Sequence, residues 1–311
     1  MMKTMTCLML TMGLLFAGCG DDGGTEPNAD AGPMLPADDC TTGESHFYVL
    51  NTLDIAGETM GVANTAPGFN LDGIVSDGSD PEGCNIPDYM SPEGEEGIDN
   101  ALAGLLPILN MFAGDISGTI ASQINDGSLL VLVEVQHVDD FTNDACVGMN
   151  LYVGEVPEMG MPTLEGGLIA AGQTFDINPE SVDAMGAPLI SVEGATITGG
   201  RMNASTPIIS IPVPLEEGVV LNLNIREARV AGDISANAMS GGLIGGALAV
   251  SELASAVEAL DIGGVDAATV ESVLGGQADM RGTDMDCSSV STALSFSGVD
   301  AVKGMVVAAG M

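Results

Sequence analysis

Positive charge is the scarcest property of this chain. Of 311 residues only 6 are Lys or Arg, against 44 Asp and Glu, for a formal net charge of −38. Nucleic-acid binders neutralise phosphates with basic side chains, so that partner class is excluded. Adsorption onto anionic lipid headgroups is disfavoured on the same ground. Tryptophan is absent and only 3 Tyr join 7 Phe, which argues against a carbohydrate-binding face built on ring stacking. His46 and His137 are the only histidines. His137 closes the apolar face of a strand-like segment and reads as a partly buried structural residue rather than a base. There is no G-x-S-x-G elbow, no H-E-x-x-H helix and no G-x-G-x-x-G loop opening a helix. What the chain does have is core material. It is 46% hydrophobic with a mean hydropathy of +0.34, enough for one large domain or two small ones.

At the N-terminus, Lys3 precedes the apolar run 8–16 and the small residues Ala17-Gly18-Cys19. A basic start, a short apolar core and a small-residue cut site describe a secretory signal peptide over 1–18. The run is shorter than the ~18 residues a membrane-spanning helix needs. Phe16-Ala17-Gly18-Cys19 resembles the bacterial lipobox, with Phe16 where that pattern more often has Leu. The resemblance implies cleavage before Cys19, a lipid on Cys19, and contact with the membrane through that anchor only. Gly20 follows the cysteine where Asp would mark inner-membrane retention, which points to the outer membrane. Residues 19–39 are rich in Gly, Pro and acid and read as a solvated tether spanning ~25 Å. Lipobox, tether and an acidic loop running into Gly97-Ile98-Asp99-Asn100 together resemble uncharacterised acidic, glycine-rich envelope lipoproteins of Gram-negative bacteria. That resemblance is specific over 1–39 and loose beyond, and it implies an envelope location and no activity.

Residues 40–311 read as a single β-rich domain. Cys40, Cys84, Cys146 and Cys287 make an even number for an oxidising compartment, and no pair has the spacing of a structural zinc site. Two disulfides are expected, with three connectivities open. Leu129, Val131, Val133, Val135 and His137 alternate on one face, and Val147, Met149, Leu151 and Val153 repeat the pattern after the polar 139–144 stretch. Pro212 and Pro214 place the strand ending near Leu215 at a sheet edge. Glu216-Glu217-Gly218 reads as a tight turn, and the change of phase after Arg226-Glu227 predicts a bulge or corner. A last strand runs over 290–296. Helices are fewer: an apolar stripe from Ile98 to Phe112 crossed by Pro107, and short helices opened by Ser251 and Asp266 and stopped at Gly275-Gly276. The fold expected is mainly β with a few short helices, an antiparallel β-sandwich or a barrel-like sheet.

No Lys or Arg lies between Lys3 and Arg201. The carboxylates of that half must face water, be protonated, cap turns, bind a metal, or meet one of Arg201, Arg226, Arg229, Arg281 and Lys303. They are densest around the acidic loop 66–97. Asn70, Asp72, Asp77, Asp80, Asp88 and Asp99, interleaved with glycines, are candidate Ca2+ ligands; a solvated loop pinned by Cys84, with Asp99 capping the next helix, is the alternative. Asp279, Asp284 and Asp286 form a weaker set, with Arg281 set among them. The 19 Met read as core filler rather than a copper site. The expected function is a lipid-anchored envelope protein with a structural or binding role, steadied by Ca2+ if the loop binds it. The alternatives are a secreted hydrolase using carboxylates of the 70–99 loop, and a carrier of small apolar ligands suggested by the Gly/Ala/Leu-rich stretch 241–250.

Overall fold

The computed structural model describes residues 40–214, 220–259, 267–282 and 286–307. The leader 1–18, Cys19 and the tether 19–39 lie outside the described residues, as do the turn expected at Glu216–Gly218, Asp266 and Asp284. In chain order the elements begin with β1 (Glu44–Ile55), α1 (Ala101–Ala113), α2 (Ile116–Asp126), β2 (Val131–Val138) and β3 (Asn143–Glu155). A small hairpin of β4 (Leu164–Glu165) and β5 (Leu168–Ile169) leads to β6 (Gln173–Ile177), β7 (Ile190–Thr198) and β8 (Arg201–Pro214). Then come β9 (Val220–Ser235), β10 (Ala238–Ala249), α3 (Val250–Ala259), α4 (Ala267–Gly275), β11 (Met280–Arg281) and β12 (Cys287–Val306).

Eight of these strands close on themselves. β1, β2, β3, β7, β8, β9, β10 and β12 each pair antiparallel with the next, and β12 returns to pair with β1. Of the two architectures that alternation allows, the chain adopts the barrel. Closure pairs backbone groups that an open sheet would leave at its edges. Outside the barrel, β6 runs parallel to the end of β12 and touches the end of β3, and β11 pairs with β12.

Residues opposite one another in an antiparallel ladder share a face. Tyr48 faces Val133, which faces Leu151. The Tyr48 hydroxyl donates to the Ser235 carbonyl at 2.8 Å. Ser235 ends β9, three strands round from β1, so this side chain crosses the lumen and its face is the inside. Val131, Val133, Val135, Val147, Met149 and Leu151 fill that interior, all buried. The alternation visible in the sequence is therefore the lumen face of β2 and β3. The connection between them forms as expected, with the Asp144 carboxylate accepting from the Asp139 amide at 2.8 Å.

The change of phase at Arg226-Glu227 is a bulge. Glu227 has φ 50°, and β10 opposes Arg229 with Gly245 but Arg226 with Ala247. β8 lies inside the closed sheet rather than at its end. Beyond Asn203, however, the described residues of β8 pair only with β9, so Pro212 and Pro214 fall where the ladder has a free side. The first helix starts later than its apolar stripe suggests. Ile98 exchanges backbone bonds of 2.9 Å with Tyr89 in both directions, and the helix opens at Ala101 and runs on through Pro107. α3 and α4 stand close to where their sequences place them, but α3 opens at Val250, so Ser251 lies inside its first turn rather than capping it.

Candidate functional site

Residues 56–100 lie over the outer face of β9, β10 and β12, forming a small second core there. Phe69 and Leu71 pack with Ala247 and Met280. A Cβ at Gly245 would stand 2.5 Å from the Phe69 ring, so glycine is what lets the loop approach the strand. Opposite Gly245, Arg229 directs its guanidinium into the loop and donates to the carbonyls of Asn70 at 2.6 Å and Leu71 at 2.9 Å. Arg281 donates to the carbonyls of Pro81 at 2.6 Å and Glu82 at 3.3 Å. Cys84 is bonded to Cys287 at the start of β12, and Cys40 to Cys146 on β3, selecting one of the three pairings the sequence left open.

The six calcium candidates are employed otherwise. Asn70 Oδ1 accepts from the Gly73 amide at 2.6 Å and Asp72 from Ile74 at 2.8 Å. Asp77 accepts from the amide and hydroxyl of Ser79, Asp80 from Glu82 at 2.9 Å, and Asp88 from Ser76 at 2.5 Å. The bonds of Asp72, Asp77 and Asp80, each to an amide two residues on, are Asx turns in which a carboxylate substitutes for a backbone acceptor, whereas Asp88 reaches back twelve residues to tie the loop across itself. The bonds to Ser79 hold the exposed Asp77 carboxyl below its ordinary range. Among the described residues no three His, Cys, Asp or Glu side chains are grouped to hold a metal ion. In the weaker set, Asp279 is bound to Ser291, while Asp286 presents its backbone carbonyl to the Gly282 amide at 2.8 Å.

Asp99 does not cap the helix that follows it. Its Oδ2 accepts from the amides of Leu71 at 2.5 Å and Asp72 at 3.3 Å, 28 and 27 residues back in the chain. It therefore closes the loop on itself. Asp279, on the segment entering β11, accepts from the Ser291 amide at 2.7 Å and from the Ser291 hydroxyl, which in turn accepts from the Ala101 amide at 2.8 Å. The loop's end, the first turn of α1, β12 and the β11 segment are thus joined through one serine. Asp99 is 2% exposed and Asp279 6%. Burial pushes the Asp99 carboxyl up to about 7, helped by the charges of Asp72 and Asp279, against its bond from the Leu71 amide. Burial likewise pushes Asp279 up to about 6, against its two bonds from Ser291 and with help from the Asp88 charge. Asp88 is raised for the same first reason. Tyr89, whose hydroxyl donates to Glu58 at 3.0 Å, rises to about 12 through burial and that bond.

Two buried carboxylates that titrate near neutrality have acid–base character, but a general acid must reach its substrate's proton. These two are spent on backbone amides and a serine beneath a covering loop.

A second polar cluster sits on the outer face of β2 and β3, under the end of β12. Glu134 accepts from Lys303 at 2.8 Å, Tyr152 at 2.7 Å and Asn150 at 3.2 Å, and the Lys303 ammonium lies 5.0 Å from the Tyr152 ring centroid. The carboxylates of the cation-free half are thus disposed in four ways: facing water, as Glu93, Glu95 and Glu96 do, capping turns, sitting buried with raised pKa, and, for Glu134, meeting a cation from the far end of the chain. Within the Gly/Ala/Leu-rich stretch 241–250, two glycines seat a neighbour's ring, Phe296 lying against Gly242 and Phe69 against Gly245.

Arg229 and Lys303 are two of the five cations the sequence offered to these acids, while Ser291 and Asn100 are parts of the clusters that sequence reasoning did not single out. Asn100, buried ahead of α1, donates to the carbonyls of Ala56 at 2.9 Å and Pro67 at 2.8 Å. A lone polar residue preceding an apolar helix was the available signal for Asn100; Ser291 had none. No family model, curated protein or solved structure matches this chain.

Proposed function

We propose that the chain is a lipid-anchored protein of the cell envelope that acts by binding, presenting residues 56–100 as an anionic face of defined shape to a cationic partner. The observation that carries the reading is how that loop is fastened. Cys84–Cys287, Arg229 and Arg281 pin it to the barrel, yet both arginines are bonded to loop carbonyls. The carboxylates of Asp72, Asp77, Glu82, Glu93, Glu95 and Glu96 stay at the surface. A pinned loop loses less conformational entropy on association than a loose one, which is what a recognition surface gains from being ordered beforehand. The lipobox-like Phe16-Ala17-Gly18-Cys19 and the acidic tether support the envelope location.

The test compares the native chain, Cys19→Ser, and the triple substitution Glu93→Gln, Glu95→Gln, Glu96→Gln in cells and in binding assays. The native chain is expected in the membrane fraction with a lipid mass on Cys19, and the Cys19→Ser chain in the soluble envelope fraction. Binding of a lysine-rich decapeptide should weaken with salt and weaken again in the triple variant. Identical fractionation of the first two chains sinks the anchor. Peptide affinity untouched by the three glutamines sinks the binding face.

A further inference from the structure

The two disulfides meet solvent differently. Cys146 lies within β3, 8% exposed, with its amide held by Asp144 at 3.1 Å. Cys287 is exposed, as are its neighbours Asp286 and Ser288, and Cys84 is half-buried. Cys84 belongs to no strand. It sits in a turn of the acidic loop, its amide donating to the Pro81 carbonyl at 3.3 Å and the Asn85 amide to Asp80 at 2.8 Å. Cys84 and Asn85 have φ 57° and 58°. Two consecutive residues with side chains in the left-handed region are unfavourable unless the surroundings fix them, and the bridge is part of what does. The other bridge has one such residue, Cys40 at φ 52°. A cation also stands at the exposed bridge. Arg281 is opposite Cys287 in the β11–β12 ladder and donates to the carbonyls of Pro81 and Glu82, three and two residues before Cys84. A guanidinium there favours a departing thiolate, and a better leaving group speeds exchange.

We propose that Cys84–Cys287 is a redox-sensitive clasp: a dithiol opens it by thiol–disulfide exchange while Cys40–Cys146 stays closed, and opening it loosens the anionic face and weakens its hold on a cationic partner. The last clause rests on the binding reading above; the selective exchange does not. In the first step a thiolate of the dithiol attacks the exposed Cys287 Sγ. The bond between the two Sγ atoms breaks, and its electron pair leaves on Cys84 Sγ, which takes up a proton from water. The second thiolate of the reagent then attacks its own sulfur in the mixed disulfide, releasing Cys287 as a thiol and leaving the reagent as a cyclic disulfide. Two electrons pass from reagent to protein, and nothing else is consumed. Glu82 and Asp286, both exposed, flank the half-cystines, so a neutral dithiol approaches more readily than an anionic thiol. Once open, residues 70–90 keep the bonds from Arg229 and Arg281 and the small core at Phe69 and Leu71. They lose the one covalent link that fixes the loop's middle to β12. A cationic partner must then order the loop as it binds, and that cost lowers affinity.

The full native chain is incubated with dithiothreitol at neutral pH and quenched at intervals with iodoacetamide. After denaturation and complete reduction a second alkylating reagent of different mass marks the remaining cysteines, and peptide masses read each site. Cys84 and Cys287 are expected to take the first label at least about tenfold faster than Cys40 and Cys146, with the circular dichroism spectrum unchanged. Equal rates, faster labelling of Cys40 and Cys146, or labelling that keeps pace with global unfolding overturns the selective exchange. Affinity for a lysine-rich decapeptide is then measured before reduction, after it and after re-oxidation with diamide. It should fall about tenfold and return. The paired variant Cys84→Ser, Cys287→Ser should bind like the reduced chain and no longer respond to dithiothreitol. A response that persists in this variant assigns the effect to Cys40–Cys146 and overturns the clasp. Selective labelling with unchanged peptide affinity overturns the coupling to the partner. A native chain that never binds the peptide sinks the binding face instead, and the labels alone then decide the exchange.

Discussion

Lys303 Nζ lies 2.8 and 2.9 Å from the two carboxylate oxygens of Glu134, 169 residues away in the chain. The last cation of the sequence thus meets an acid from the half that has none. Glu134 is nearly buried, with 8% of its side chain exposed against 40% for Lys303. Burial alone would raise its pKa, but the bonds from Lys303, Tyr152 and Asn150 outweigh it and hold the carboxyl below its usual range. Lys303→Met strands that charge. The expected loss is about 2 kcal/mol, below the ~3–5 of a fully buried pair because water reaches Lys303. Urea unfolding at neutral pH measures it. Adding Glu134→Gln to Lys303→Met should recover most of the loss, since the charge left unpaired is then gone; a double variant no more stable than the single contradicts this account.

The pH dependence of stability is expected to have two limbs of opposite sign. Asp99, at about 7, and Asp279, at about 6, bind protons more tightly folded than unfolded. Between about pH 4 and 7 the native state therefore holds more protons than the unfolded one, and stability falls as pH rises through that window. Glu134 works the other way. Its folded pKa is depressed, so its contribution is present above its unfolded value of about 4.3 and is lost as pH falls further. Asp99→Asn keeps an oxygen for the Leu71 and Asp72 amides and removes the ionisation. It should stabilise the protein by a few kcal/mol at pH 8 and flatten the slope between pH 5 and 7. Thermal melts of the native chain and Asp99→Asn across pH 3–8 check both statements; parallel curves would show that Asp99 does not carry the slope.

The barrel strands were legible because their signal is local. Val131, Val133 and Val135 alternate with a period of two whatever lies beyond them. The bulge at Glu227 was legible for the same reason, as a change of phase within one strand. Closure was not. Whether β12 returns to β1 depends on the register of pairs such as Tyr48 with Asp300, 252 residues apart, and alternation is the same in a sandwich. The fate of the acids was half legible: the absence of nearby cations correctly demanded another partner. Asp, Asn and Gly at short spacing describe a calcium loop and a run of Asx turns alike, and what separates them is whether the carboxylates converge. Asp72, Asp77 and Asp80 each bond an amide two residues on. Asp99, a candidate ligand or alternatively a helix cap by its place in the sequence, does not cap: Ile98 is committed to Tyr89, and Asp99 turns toward the amides of Leu71 and Asp72.

Cys84–Cys287 joins residues 203 apart, and Cys40–Cys146 residues 106 apart. Loop-closure entropy gives the longer link the larger effect on the unfolded chain, about 5 kcal/mol. Where that loss appears depends on what else holds the loop. Residues 70–90 stay tied to the barrel after the disulfide is gone, through the hydrogen bonds of Arg229 and Arg281 and the small apolar cluster of Phe69 and Leu71. The paired variant Cys84→Ser, Cys287→Ser should therefore open there first. Amide exchange over 70–90 should rise by well over tenfold at pH 7, while β2 and β3, buried on both faces, keep their protection until global unfolding. Adding Arg229→Met should raise exchange over 70–90 again without touching β2. If exchange in β2 and β3 rises in step with the loop in the disulfide variant, the loop and the barrel are one cooperative unit. The second core would then be part of what closes the barrel rather than a face laid over it.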